Sequence, residues 1–249
     1  MDAPVRVTLA GAGNAFGDGG MLQTCVHVQA AGSDGALLVD CGATALTGLK
    51  RLGLQPGDVS VVAVSHLHGD HFGGLPFLIL DGQFTRRVRP LHLVGPPGLQ
   101  ARLERAMEVL FPGSASVSRR FPVHVHEVAP GSSALVEDVE VRAYEADHAA
   151  GAAALALRVK VGGRTIAYSG DSAWTDTLID VADGADLFLC EGYTFDRAVR
   201  HHLHVPELIA RLDRLRCRRL LLTHAGPQVL ARRAELDLEL AEDGMVLEV

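Results

Sequence analysis

The chain has 249 residues, 48% of them hydrophobic, with 21% charged side chains and a formal charge of -7. Such a length and apolar content supply a sizeable core, fit an α/β enzyme and exclude a disordered or repeat protein. The negative balance argues against a surface that coats nucleic acid through its phosphates. No apolar segment approaches the roughly 20 residues of a membrane span, and Met1-Asp2-Ala3-Pro4-Val5-Arg6 lacks the pattern of a signal peptide, so a cytoplasmic location is expected.

Val5 to Leu9 alternates like a first strand, and the glycine loop Gly11 to Gly20 follows it. The loop's spacing is not that of a dinucleotide fingerprint, so it reads as the lining of a site. Thr24 to Gln29 and Ala36 to Asp40 predict two strands paired antiparallel across Gly32-Ser33-Asp34-Gly35. Thr44 to Leu52 has helical spacing and ends at Gly53. Cys25, Cys41, Cys190 and Cys217 are scattered without a C-x-x-C pair, which predicts buried free thiols, Cys25 being the one that follows the glycine loop.

Val59 to Val64 reads as a buried strand, and directly behind it comes Ser65-His66-Leu67-His68-Gly69-Asp70-His71. Side chains alternate along an extended chain, so His66 and His68 face one point while the turn at Gly69 redirects Asp70 and His71 toward a second. Imidazoles and a carboxylate this close repel when protonated and need partners when buried; metal ions resolve both problems. The geometry suits two metals better than one.

Beyond the cluster, Phe72 to Leu80 predicts a helix under the site, Leu91 to Val94 a strand and Leu99 to Leu110 a second helix. His92 reads as a structural histidine, and His124 and His126, on one face of Val123-His124-Val125-His126, as a polar surface. Arg86 to Arg89 and Arg211 to Arg219 read as solvated basic stretches. Short strands follow at Val139 to Tyr144, Leu155 to Val161 and Arg164 to Tyr168. Three runs in the second half end in metal-type residues, at His148, Asp171 and His224, and strand ends tend to converge on one edge of a sheet. Leu187 to Glu191 is a further strand ending in an acid, followed by His201, His202 and His204.

His66-Leu67-His68-Gly69-Asp70-His71 resembles the H-x-H-x-D-H signature of the metallo-β-lactamase superfamily, and with Gly74-Leu75-Pro76 behind it is similar to the ribonuclease Z and phosphodiesterase branch. The resemblance covers nearly the whole chain. It implies a four-layer αββα sandwich formed by residues 1–249 as a single domain, and a homodimer. It also implies two divalent metal ions, one held by His66, His68 and His148, the other by Asp70, His71 and His224, with Asp171 bridging. His68, standing where iron-based relatives carry a glutamate, points to zinc, with manganese as the alternative.

The same resemblance gives Asp70 a part in handling the attacking water. Glu191 becomes the orienter of a proton-donating histidine, which the spacing to His224 makes His202. His204 stays a rival, because Leu203-His204 replaces the Ser-Thr usual after that histidine. His148 follows Glu145-Ala146-Asp147 and not the P-G-H-T of thioester-hydrolysing relatives. Between His148 and Asp171 there is only the hairpin Leu155 to Tyr168, where relatives that mature transfer RNA carry an extra arm. The implied activity is therefore hydrolysis of a small phosphodiester, such as a cyclic nucleotide, or of an RNA end. Hydrolysis of a carboxylic ester, lactone or thioester on the same centre, and a non-catalytic metal-stabilised carrier, are the alternatives.

Overall fold

The computed structural model describes residues 4–249. In chain order the first half contains β1 (Val5–Gly11), β2 (Cys25–Ala30), β3 (Ala36–Val39), α1 (Ala45–Arg51), β4 (Val59–Ala63), α2 (Gly69–Phe72), α3 (Leu75–Phe84), β5 (Leu91–Gly95), α4 (Leu99–Leu110) and β6 (Val123–Glu127). The second half contains β7 (Ser133–Val136), β8 (Val139–Glu145), β9 (Leu155–Val161), β10 (Arg164–Tyr168), α5 (Thr177–Ala182), β11 (Leu187–Glu191), α6 (Val205–Ile209), β12 (Leu220–Thr223), α7 (Pro227–Ala231), β13 (Glu239–Leu240) and β14 (Val246–Glu248). These strands form two seven-stranded sheets, ordered β14-β1-β2-β3-β4-β5-β6 and β13-β12-β11-β10-β9-β8-β7.

The sheets face each other across a core that includes Leu9, Val26, Val61, Leu157, Ile166 and Leu189. The outer face of the first sheet, with Leu38, Val62 and Leu93, packs against Leu49, Leu78 and Leu103 of α1, α3 and α4. Phe188 and Leu222 on the outer face of the second pack with Val181, Leu208 and Val229 of α5, α6 and α7. This is the expected αββα sandwich. Its interior strand β4 is buried at every position because both faces are covered. In α4, Leu99, Leu103 and Met107 repeat every four residues and are the buried stripe.

β2 and β3 pair antiparallel as expected, whereas β3, β4 and β5 are parallel, as are β10, β11 and β12. Parallel strands end at a common edge, so the segments after β3, β4, β10, β11 and β12 come together there. The helix anticipated over Phe72 to Leu80 is two pieces, the single turn α2 and then α3 with Pro76 in its first turn, where no amide hydrogen is required. Cys25 packs in the helix-side core, its thiol pKa raised by burial. Among the described residues no helix is long and apolar enough to cross a membrane.

Candidate metal centre

At the common edge the structure gathers all seven sequence-predicted ligand residues into two adjoining groups. His66, His68 and His148 form one, and Asp70, His71, Asp171 and His224 the other, with one donor atom of each residue lying within 4.8 Å of the others in its group. In the first, His68 Nδ1 lies 3.2 Å from His66 Nε2 and 3.1 Å from His148 Nε2. In the second, Asp70 Oδ2 lies 3.2 Å from His71 Nε2 and 3.1 Å from His224 Nε2. Asp171 stands between them. Its Oδ1 is 3.3 Å from His71 Nε2 and 3.6 Å from His224 Nε2, while its Oδ2 is 3.9 Å from both His66 Nε2 and His148 Nε2.

Backbone conformation delivers these groups. Gly170 adopts a φ of +59°, and a Cβ there would stand 2.6 Å from the Leu155 carbonyl oxygen, so only glycine turns the chain from β10 into Asp171 without strain. His224, after β12, is itself left-handed at φ 57°. Its amide donates to the Ala12 carbonyl (3.0 Å), and Asn14 Nδ2 donates to the Ala225 carbonyl (3.0 Å), so the glycine loop braces this ligand position from behind.

The outer nitrogens fix the tautomers. His71 Nδ1 lies 2.7 Å from Asp40 Oδ2, and His148 Nδ1 lies 2.9 Å from the His201 carbonyl oxygen. Both partners only accept, so each Nδ1 carries the proton, and in the neutral ring the Nε2 lone pair points inward. Asp40 also accepts from the Ser65 amide (2.7 Å) and hydroxyl (2.8 Å), and that hydroxyl lies 3.1 Å from His66 Nδ1. His71 Nε2 and Asp171 Oδ1 are buried without a hydrogen-bond partner. Inward lone pairs facing carboxylate oxygens repel unless a cation sits among them, and the donor set of imidazoles and carboxylates is one that zinc and similar ions take. The residues fit a divalent metal site.

The electrostatics agree. Burial disfavours charge on His71 and His224, yet Asp171, with Asp40 for the one and with Asp70 and Glu191 for the other, outweighs it: His71 is raised well above the usual imidazole value and His224 is pushed up to about 10. The second group demands positive charge. His66 is held well below the usual value by burial and by neighbouring His71, as suits a neutral ligand.

Glu191 closes the site on the side of β11. Its Oε2 accepts from the amides of Ser172 and Leu203, both at 2.9 Å, and its Oε1 lies 2.6 Å from His202 Nδ1. The His202 ring stands 4.9 Å from that of His148 and 4.6 Å from that of Tyr193. Burial lowers the pKa of His202, but the Glu191 hydrogen bond prevails and the net shift is upward. His204 instead turns Nδ1 to Thr194 Oγ1 at 3.2 Å, so the pairing with Glu191 belongs to His202. Asp40, Ser65 and His201 are functional neighbours that the motifs did not mark. Asp40 left one signal, an acid closing a strand, the same pattern that marks Glu191.

A family model described as "Anti-Pycsar protein Apyc1" matches residues 5–245. The chain belongs to the Apyc1 anti-Pycsar family. Within the metallo-β-lactamase superfamily its Apyc1-type sequence lies on the ribonuclease Z-like branch: it is 30% identical to a ribonuclease Z of Natronomonas pharaonis over 94% of this chain and 91% of that one. The crystal structure of the short form of human tRNase Z (ELAC1) matches at 26% identity and a TM-score of 0.78, covering 97% of this chain and 98% of that one. The metallo-β-lactamase fold protein YhfI of Bacillus subtilis, at 21% identity, shares the fold with a TM-score of 0.77 over 99% and 100% of the two chains. This Apyc1 family member is a hydrolase of the metallo-β-lactamase fold.

Proposed function

We propose that the chain is a dinuclear metal-dependent phosphodiesterase acting on a small phosphodiester, such as a cyclic nucleotide, or on an RNA end. His66, His68 and His148 would hold one divalent ion and Asp70, His71 and His224 the other, with Asp171 placed to serve both. Zinc is the expected metal, with manganese as the substitute. When bound, the ions lower the pKa of water and offset charge on phosphoryl oxygens. Asp70 would orient the attacking water or accept its proton. His202, whose pKa the Glu191 hydrogen bond raises against burial, would pass the Nε2 proton to the departing alkoxide. Glu191 holds the ring through Nδ1 and is itself fixed by two backbone amides.

The observation that carries this reading is the Glu191–His202 pair, 2.6 Å apart beside the ligand groups. A leaving alkoxide needs a proton donor more than the thiolate leaving from a thioester does. The ribonuclease Z relatives support the reaction class. The short β9–β10 hairpin between His148 and Asp171 supports a small ester over folded RNA. The two sheets work as one domain, and a homodimer in the cytoplasm belongs to the same reading.

The test is turnover of bis(p-nitrophenyl) phosphate by zinc- or manganese-loaded protein. Asp171→Ala should abolish it; on a cyclic nucleotide, whose leaving alkoxide needs a proton, His202→Ala should lower kcat by about 10²- to 10⁴-fold, the usual worth of a general acid, and by less on the p-nitrophenyl ester, whose phenolate leaves unprotonated. An inactive wild type rejects the phosphodiesterase reading in favour of an ester, lactone or thioester substrate, and a His202→Ala variant that keeps full activity on the cyclic nucleotide rejects His202 as the proton donor.

A further inference from the structure

His202 stands on the loop between β11 and α6, with 21% of its side chain exposed, and Glu191 is its one ring-nitrogen contact within hydrogen-bond distance. That contact is at Nδ1. The imidazole can still rock about the line from Cβ to Nδ1, which carries Nε2 sideways. Proton donation requires Nε2 to point at the departing oxygen, and a misplacement of about 1 Å costs on the order of 10²-fold.

Two rings oppose the rocking. His148 meets His202 edge-on, with centroids 4.9 Å apart and planes at 71°. Tyr193 packs closer, at 4.6 Å and 42°, inside the roughly 4.5–7 Å over which aromatic pairs attract. The phenol ring also stands 5.9 Å from that of His224. Its backbone is pinned: the Gly192 amide donates to the Thr223 carbonyl (2.9 Å), the Gly226 amide to the Tyr193 carbonyl (3.1 Å) and the Thr194 amide to the Leu203 carbonyl (3.1 Å). A Cβ at Gly226 would stand 2.3 Å from the Tyr193 carbonyl oxygen, so glycine lets the turn after β12 close on this residue. Thr194 and His204 pair as a parallel bridge, so the segment after β11 runs beside the stretch that carries His202. Glu191 and Tyr193, two residues apart, therefore reach the same imidazole, one by a hydrogen bond and the other by its ring.

Core packing does not account for Tyr193, which is only half-buried and lies outside the apolar cluster between the second sheet and its helices. We propose that Tyr193 is a positioning residue for proton donation: its ring is the wall that, together with the Glu191 carboxylate, holds His202 Nε2 toward the leaving oxygen. This rests on the phosphodiesterase reading above, with His202 as donor. The contact is made by the ring, so phenylalanine would serve equally, and the wall matters most where the leaving group needs a proton.

Zinc-loaded full-length variants are compared on bis(p-nitrophenyl) phosphate and on a cyclic nucleotide that the wild type turns over. Tyr193→Ala, and Tyr193→Leu, which keeps apolar bulk, should lower kcat on the cyclic nucleotide by about 10- to 100-fold with KM unchanged, the pattern of an interaction made only in the transition state. Both should lose far less on the aryl ester and keep the wild-type zinc count. Tyr193→Phe should retain the cyclic-nucleotide rate. Equal losses on the two esters, a raised KM in place of a lowered kcat, or a Tyr193→Phe variant as slow as Tyr193→Ala overturns the inference. His202→Ala separates the two levels: if it keeps the full cyclic-nucleotide rate the donor assignment falls and the wall with it, whereas if it is slowed and the Tyr193 variants are not, only the positioning role falls.

Discussion

Asp40 is the buried residue on which the second metal group most depends without contacting it. It is fully buried, sits at φ 58°, and accepts three hydrogen bonds, from the Ser65 amide on Oδ1 and from the Ser65 hydroxyl and His71 Nδ1 on Oδ2. Asp40→Asn preserves shape but removes one acceptor. If the amide oxygen stays on the Ser65 amide, the new NH₂ faces His71 and forces its proton to Nε2, where it blocks the ligand lone pair. If the amide flips, the NH₂ opposes the Ser65 N–H, and an unsatisfied buried donor costs about 1–3 kcal/mol. Either way metal affinity should fall about 10- to 100-fold, the usual loss on removing such a partner, equivalent to about 1.4–2.8 kcal/mol. Competition with a chelator measures the affinity, and activity should return at high zinc because the ligands themselves remain. An Asp40→Asn protein that binds zinc as tightly as wild type refutes the tautomer argument.

Three further outcomes follow from single residues. His27, buried on β2 with an unpartnered Nδ1, has its pKa lowered by burial against an opposing Asp58; an unfolded histidine, near 6.5, then takes up protons first, so its stability contribution is present above about pH 6.5 and lost as pH falls below it. Denaturant midpoints compared between wild type and His27→Leu should diverge between neutral and mildly acidic pH, and parallel curves would contradict this. Gly170→Ala places a Cβ 2.6 Å from the Leu155 carbonyl in a left-handed backbone, which should cost at least about 1–2 kcal/mol and depress zinc affinity through Asp171, as read by urea unfolding and zinc titration. His204→Ala should keep most of the phosphodiesterase activity that His202→Ala loses, since the His204 ring turns to Thr194 and not to Glu191; equal losses would remove the distinction between the two histidines.

The strands and the convergence of the candidate ligands were legible in the sequence for one reason: buried parallel strands are written as short apolar runs, and each here is followed by a histidine or an acid at the strand's carboxyl end. β4 before His66, β10 before Asp171 and β12 before His224 all show it. What stayed hidden was set by tertiary pairing. β14 reads as an ordinary terminal segment and becomes a strand only because β1 offers an unpaired edge. His201 lends a backbone carbonyl to His148, a role that any residue type can fill and no motif records. His92, His124 and His126 were visible as residues, but their common inward face depends on the β5–β6 register, which no local pattern fixes.

Charge balance yields one more test of the centre. Asp40, Asp70, Asp171 and Glu191 are buried together, and among the described residues their ion pairs are all to histidines, with no lysine or arginine among them. A buried cluster of carboxylates cannot remain unbalanced, so either imidazolium protons or metal ions must supply the positive charge. The upward shifts of His71 and His224 are the first alternative, since both rings are then charged at pH 7 without metal. On the proposed ligand set each must surrender the Nε2 proton to bind an ion. Zinc binding to chelator-stripped protein at pH 7 should therefore release about two protons per chain, and affinity should weaken as pH falls because protons compete for the same nitrogens. Calorimetric titration in two buffers of different ionisation heat reads the number directly. A release near zero would mean that the rings are already neutral, and the carboxylates would then need a source of positive charge other than the one argued here.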